Sequence, residues 1–273
     1  MAFTPKRGSY YRMPIFFGPM PGPRQWPPGC DFQFDSIPKR LSYGARFLTR
    51  AEQLAAFLPE CFEVWGEPVV TVEVTYLDQL AWLAGAGYNM CDVKFNATFK
   101  GRDGPVHGTL VLVRWEDLCD PIISGREELG HNKLYCEIPP IRELDGRLSN
   151  EMSWRHFPFL KVAAWNLKNL SITPTPNPLN RGMLSYKYLP KTGSWGEADV
   201  EYATLTPPPA KGRMLQWQEG LGSVEFTPVR WEQLPTQYHV VNAFAALEQL
   251  ESRGGYLYKS EGGASGSETH RLY

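Results

Sequence analysis

Between residues 68 and 115 the chain contains several runs that alternate apolar and polar positions with a period of two. "PVVTVEVTYL" (68–77) is one such run. In "VKFNATFKG" (93–101), Val93, Phe95, Ala97 and Phe99 alternate with Lys94, Asn96, Thr98 and Lys100, the signature of strands with one buried face. A turn at "RDGP" then leads into "GTLVLVRW" (108–115), which predicts a β-hairpin. Further on, "MLSYKYL" and "ADVEYATL" flank the turn-rich "PKTGSWGE" and predict a second hairpin, and "LGSVEFTPVRW" supplies another strand. Twice the period becomes helical. In "LTRAEQLAAFLPE", Thr49 and Glu52 have capping-box spacing, Leu54, Phe57 and Leu58 share one face, and Pro59 stops the run. "PTQYHVVNAFAALEQL" (235–250) predicts a helix ended by Gly254 and Gly255. Strands dominate with a few short helices between them, so the expected class is α+β, mainly antiparallel β, rather than alternating βαβ units.

Composition adds boundaries. Residues 14–29, "PIFFGPMPGPRQWPPG", hold six prolines and suit neither a helix nor a central strand. They predict an extended arm anchored by Phe16, Phe17 and Trp26. The end, "SEGGASGSETHRLY" (260–273), is Gly/Ser-rich and predicts a flexible tail. The chain of 273 residues therefore divides into an arm (1–37), one domain (38–259) and a tail (260–273), without an internal repeat.

Lys plus Arg total 28 against 29 for Asp plus Glu, so no basic patch points to nucleic acid. The five cysteines, at 30, 61, 91, 119 and 136, contain no CxxC pair and fit neither a disulfide framework nor a zinc site. The N-terminus lacks the apolar stretch of about 7 to 15 residues of a secretory signal, and no apolar run approaches the ~20 residues of a membrane span. A cytoplasmic protein without membrane contact is expected. GxGxxG, Walker A, GxSxG and HExxH are all absent, and His107, His131, His156, His239 and His270 show no metal-ligand spacing. The expectation is therefore no metal and no organic cofactor.

One stretch points to chemistry. "GREELGHNKLYCEIPP" (125–140) begins Gly125-Arg126-Glu127 and places Lys133 eight residues after the glycine. This resembles the acetoacetate decarboxylase family, whose Schiff-base lysine follows a Gly-Arg-Glu start at that distance. The order extends upstream. Arg40 through Pro59 resembles the family's arginine, strand, short helix and proline, which puts Arg40 at its active-site arginine. "EPVVTVEV" resembles the strand ending in an inward glutamate, which puts Glu73 there. Tyr88 and Met90 fall in the loop preceding the next strand, and "GSVEF" with "LPTQYHVVNAFAALEQL" resembles the C-terminal strand and helix. The resemblance covers most of residues 38–258, strongest over 40–133 and weakest over 140–180.

It implies a β-barrel or cone with a few short helices, a homo-oligomer in which the proline-rich arm can pass between subunits, and a lyase acting on a small keto acid. Lys133 would be the nucleophile and Glu73 an acid/base. Arg40, Tyr88, Met90 and Arg126 would bind substrate, with Arg40 on its carboxylate. Two departures stand out. The family's decarboxylases carry a second lysine directly after the nucleophile, where this chain has Leu134. They also carry a loop glutamate where this chain has Met90, with Asn89 and Asp92 nearby.

A free lysine, with a pKa of about 10.4, presents a neutral amine in about one molecule in 2,500 at pH 7. Burial alone can lower that pKa by about 3 to 5. The family is itself the standard illustration of a lysine so activated, and Leu134, Met90 and neighbouring aromatics could form the apolar surroundings required. The imine then serves as an electron sink, either for decarboxylation of a β-keto acid or, through the same enamine, for aldol addition and dehydration on a pyruvate-like substrate. A small-molecule binding protein that kept the fold and lost the chemistry is the rival class. Glu73, on an apolar strand, needs a partner such as Arg126 or a raised pKa.

Overall fold

The computed structural model describes residues 3–9, 11–18, 36–170, 175–263, 266 and 268–273. The strands are β1 (Lys39–Leu48), β2 (Phe62–Val64), β3 (Val69–Asp78), β4 (Tyr88–Gly101), β5 (Gly104–Glu116), β6 (Lys133–Tyr135) and β7 (Arg142–Leu144), then β8 (Arg147–Trp154), β9 (Phe157–Asn169), β10 (Met183–Pro190), β11 (Ala198–Thr206), β12 (Arg213–Phe226), β13 (Glu251–Glu261) and β14 (His270–Arg271). Three short α-helices interrupt them: α1 (Ala51–Ala55), α2 (Cys119–Ser124) and α3 (Tyr238–Ala245). All join one sheet in the order β14-β11-β10-β5-β4-β3-β1-β13-β12-β9-β8-β7, with β2 beside β4 and β6 beside β5. Pairing is antiparallel except for β5 with β10 and with β6. This is the expected mainly antiparallel α+β class. The sheet is open, with β14 and β7 as its edges, so "barrel" describes its curvature only loosely.

Both predicted hairpins form, β4–β5 and β10–β11. The period-two pattern sorts the sheet into two faces. Tyr43, Val72, Val74, Val93 and Trp115 lie on one and are fully or almost fully buried. There Trp115 packs on Phe159 and on Phe244 of α3, with ring centroids 5.2 and 6.2 Å apart, and its Nε1 donates to Gln237 Oε1 at 2.7 Å. Each such apolar side chain contributes about 1.5–3 kcal/mol through burial. The opposite face carries Arg40, Glu73, Asp92, Lys94 and Arg114. Between Val93 and Lys94 the β4–β5 register shifts: Val93 pairs with Val113 but Lys94 pairs with Val111. This bulge absorbs Leu112 and keeps the polar positions of both strands on one face.

Several local expectations are corrected. Thr49 does not cap α1: the preceding residue is Arg50, without a side-chain cap, and Thr49 Oγ1 donates to Gln53 Oε1 instead. The helix ends at Ala55, so of the three predicted apolar residues only Leu54 lies within it and is buried. The C-terminal helix is shorter than 235–250. It stops at Ala245, and Gly254 and Gly255 sit inside β13. Gly254 has φ +77° where the β1–β13 register shifts, a bulge position that favours glycine. Phe16 and Phe17 are 72% and 76% exposed and so do not anchor an arm, while Trp26 and most of the proline-rich stretch lie outside the described residues. The 260–273 segment does not end free. Glu261 still belongs to β13, and β14 pairs with Thr204 and Leu205 of β11. Arg271 also lies over the Tyr202 ring at 4.5 Å. Main-chain pairing and this cation–π contact override the composition. Strands β7 to β9 fill the region where the resemblance was weakest. Among the described residues no helix is long and apolar enough to cross a membrane.

Candidate active site

Strand pairing brings the polar face together residue by residue. Glu73 on β3 lies beside Asp92 on β4, Asp92 beside Arg114 on β5, and Arg114 beside Lys133 on β6. They line a cavity of about 590 Å³ with Arg40, Tyr88, Met90, His131 and Tyr258. Pro121, Ser124 and Gly125 at the end of α2 also line it, together with Pro176 and Pro207 to Pro209.

Lys133 is 5% exposed. Its Nζ donates to the Pro121 carbonyl oxygen at 2.8 Å and lies 2.8 Å from Glu116 Oε1. The Glu116 contact is an ion pair between two buried side chains. Ammonium has three donors, and these two partners leave one for the cavity. Gly125 makes room for the side chain. A Cβ there would stand 2.5 to 2.6 Å from Lys133 Cε, Cδ and Nζ. The segment Gly125–Leu129 is a single wide π turn closed by Gly130 at φ +74°, a geometry common at functional sites. Lys187 Nζ donates to the Glu127 carbonyl, and Thr204 Oγ1 to that of Leu129 at 3.0 Å, bracing the turn from β10 and β11.

Burial is the main cause that brings the Lys133 amine down from an ordinary 10.5 to about 8. Glu116 pulls it back up and Arg114 pushes it further down. Burial likewise raises the Glu116 carboxyl, against the pull of Lys133 and Arg114. The other two carboxyls behave oppositely. Burial alone would raise Asp92, but Arg114, bonding it through both Nε (2.6 Å) and Nη2 (2.7 Å), outweighs this and holds it low. Burial would also raise Glu73, but Lys94 Nζ at 2.8 Å and the Tyr256 hydroxyl at 2.6 Å hold it below the usual range. Lys94, Arg114 and Lys133 thus each have a carboxylate partner. Arg40 has none among the described residues and reaches the same cavity.

Of the residues expected at the site, Lys133, Glu73, Arg40, Tyr88 and Met90 line one cavity. Arg126 does not. Its Nη1 donates to the Lys133 carbonyl oxygen at 2.9 Å, which fixes the Lys133 main chain, and Glu73 is paired with Lys94 instead. Leu134 alternates to the apolar face and packs against the core, so it does not surround the amine; the cation nearest in effect is Arg114. Asn89 is held by Asp117 at 2.8 Å through both its backbone and its side-chain nitrogens. Of Asn89 and Asp92, it is Asp92 that reaches the cavity. Arg114, Lys94, Glu116 and His131 are additions of the structure, and the i, i+2 spacing of Arg114 and Glu116 already placed those two on one face. Among the described residues no group of three or more His, Cys, Asp or Glu could hold a metal ion.

One expected result follows directly. Reaction of Lys133 with an amine-selective reagent should rise with pH to a midpoint near 8, because only the deprotonated amine reacts. A midpoint near 10, the range of a solvated lysine, would remove the basis for a reactive amine.

The sequence matches the acetoacetate decarboxylase (ADC) family over residues 12–252, and the chain belongs to that family. No curated protein sequence matches it. Among solved structures, one described as acetoacetate decarboxylase superposes with a TM-score of 0.66 at 13% identity, covering 88% of this chain and 91% of that one. Acetoacetate decarboxylase from Legionella pneumophila gives 0.62 at 15% identity, with 91% and 97% coverage. The enduracididine biosynthesis enzyme MppR, complexed with the condensation product of pyruvate and imidazole 4-carboxaldehyde, gives 0.66 at 15% identity, with 93% and 97% coverage. At these identities the likeness is one of fold.

Proposed function

We propose that the chain is an imine-forming carbon–carbon lyase that decarboxylates a small β-keto acid on Lys133. The observation that carries this reading is the amine itself: buried against Gly125, lowered to about 8, and facing a cavity whose one cation without a carboxylate partner among the described residues is Arg40. Arg40 binds the substrate carboxylate through its planar fork. Nζ attacks the keto carbon and water is lost. The C–CO₂ bond then breaks with its electron pair drawn into the iminium, and the resulting enamine is protonated and hydrolysed.

A second reading, aldol addition and dehydration through the same enamine, is favoured by the cavity. At about 590 Å³ it exceeds what a keto acid of a few non-hydrogen atoms occupies, and MppR is a fold relative with a condensation product bound. The deciding experiment supplies acetoacetate alone, then pyruvate with an aromatic aldehyde, and follows CO₂ release and condensation product. CO₂ from acetoacetate supports the decarboxylase reading. Condensation without CO₂ release replaces it with the second, and neither activity leaves the binding protein.

Arg40→Ala should raise KM for keto acids by about 10- to 150-fold, the loss of one charged hydrogen-bonding partner worth ~1.5–3 kcal/mol. Trapping of ketones that lack a carboxylate should be unchanged. An equal loss for both substrate types would place Arg40 outside the carboxylate site.

A further inference from the structure

Glu116 differs from the other carboxylates around the cavity. Asp92 and Glu73 each receive two short, aligned hydrogen bonds from side chains. Glu116 is fully buried, yet among the described residues no donor besides the Lys133 amine bonds its oxygens. Among the described residues its ion-pair partner is Lys133 Nζ at 2.8 Å, and Arg114 and Asp92 act on it from farther away. Lys133 borders the cavity and Glu116 does not, so the carboxyl sits behind the amine. A buried carboxylate so thinly held binds a proton more readily than its neighbours do.

We propose that Glu116 is a catalytic proton carrier, taking the proton that Lys133 must lose before attack and returning it to the departing oxygen. This rests on the reading of Lys133 as an imine-forming nucleophile. In the first transfer the ammonium and carboxylate become amine and carboxylic acid. The amine lone pair forms the N–C bond while the carbonyl π pair moves to oxygen. Glu116 donates its proton to that oxygen and takes one from the nitrogen, giving a neutral carbinolamine. A second donation from Glu116 expels water as the nitrogen lone pair forms the C=N bond. The products are iminium, carboxylate and one water, with charge and atoms conserved. Glu116 Oε1 stands 2.8 Å from Nζ, and the carbinolamine oxygen is bonded to the carbon that Nζ holds, so one carboxyl at this position serves both the nitrogen and the oxygen.

The groups facing the pair are Arg114 on β5, Asp92 and Tyr88 on β4, and the Pro121 carbonyl of α2. They stay in place in Glu116→Gln, which keeps size and removes the proton-carrying group. A purely electrostatic role and a proton-carrying role then predict opposite results. Glu116 raises the Lys133 amine, so its neutralisation moves the amine-reagent midpoint below about 8 and leaves more free amine at pH 7. If Glu116 is only a counter-ion, the imine forms faster.

The experiment is rapid-quench borohydride trapping with acetoacetate, timing the adduct on wild type and Glu116→Gln, with the amine-reagent midpoint measured on both. The expected result is a lowered midpoint together with imine formation slowed about 10²-fold or more, the usual contribution of a positioned acid/base. Glu116→Asp, which retains a proton carrier, should recover part of the rate, and it serves as the test variant if the glutamine form does not fold. An equal or faster rate in Glu116→Gln overturns the proposal and leaves Lys133 as nucleophile. No adduct in the wild type overturns the underlying reading instead.

Discussion

Lys133→Met is expected to lower turnover about 10⁴-fold or more, toward the uncatalysed rate, because covalent catalysis has no partial form once the amine is gone. Methionine nearly matches the length of the lysine chain, so the space against Gly125 stays filled. The Glu116 left behind is accommodated by taking up a proton, the direction in which burial already pushes it. Steady-state rates on the best keto acid, with circular dichroism to confirm the fold, read the effect. Turnover within tenfold of wild type would mean that Lys133 is not the nucleophile.

Gly125→Ala is expected to lower kcat/KM about 10²-fold or more without unfolding the protein. Gly125 has φ −66° and ψ −38°, which alanine adopts readily, so the backbone does not require glycine. The reason for it is space. The added methyl would stand 2.5 to 2.6 Å from Lys133 Cε, Cδ and Nζ, and the amine, as the free end of the chain, is what moves. A displacement on the order of 1 Å at a reacting atom costs about that factor. The melting temperature should stay close to wild type while the amine midpoint drifts from about 8. Unchanged kinetics would show that Lys133 adjusts freely, and the Gly125–Lys133 spacing would then have no catalytic meaning.

That spacing shows how a site can be partly legible in sequence. Gly125 and Lys133 were recognisable as a pair eight residues apart, and the structure supplies the physical reason: a π turn carries the glycine back onto the lysine's methylenes. Arg40, Glu73, Tyr88 and Met90 could be placed only because the resemblance follows the family's elements in order, and the structure sets all four around one cavity. Lys94 was equally visible in its strand, as a polar residue alternating with Val93 and Phe95. Alternation identifies which residues share a face, but not whether that face meets solvent or a cavity. The pairing of Lys94 with Glu73, and of Arg114 with Asp92, depends on β3, β4 and β5 lying side by side in a register that includes a bulge. Leu134 was misplaced for the same reason. Its neighbour Lys133 faces the cavity, so Leu134 must face the core. Arg126 was misassigned because a match in motif carries no information about which way a side chain leaves a π turn.

Helix ends were the least legible part of the fold. Thr49 and Glu52 had the spacing of a capping box, but Thr49 bonds the Gln53 side chain one turn on instead, and α1 is a single short turn. Gly254 and Gly255 read as a stop signal because glycine's tolerance of positive φ serves a bulge as well as a helix end. The C-terminal residues looked featureless by composition, and only the free edge of β11 explains why His270 and Arg271 are ordered there.

The central claim is that Lys133 forms an imine with a keto acid. Its most direct test is borohydride reduction of the protein with acetoacetate and, separately, with pyruvate, read by intact mass and peptide mapping. The account predicts a stable mass increment on the peptide holding Lys133, absent from Lys133→Met. An adduct on any other lysine, or none on folded protein with either keto acid, would contradict it.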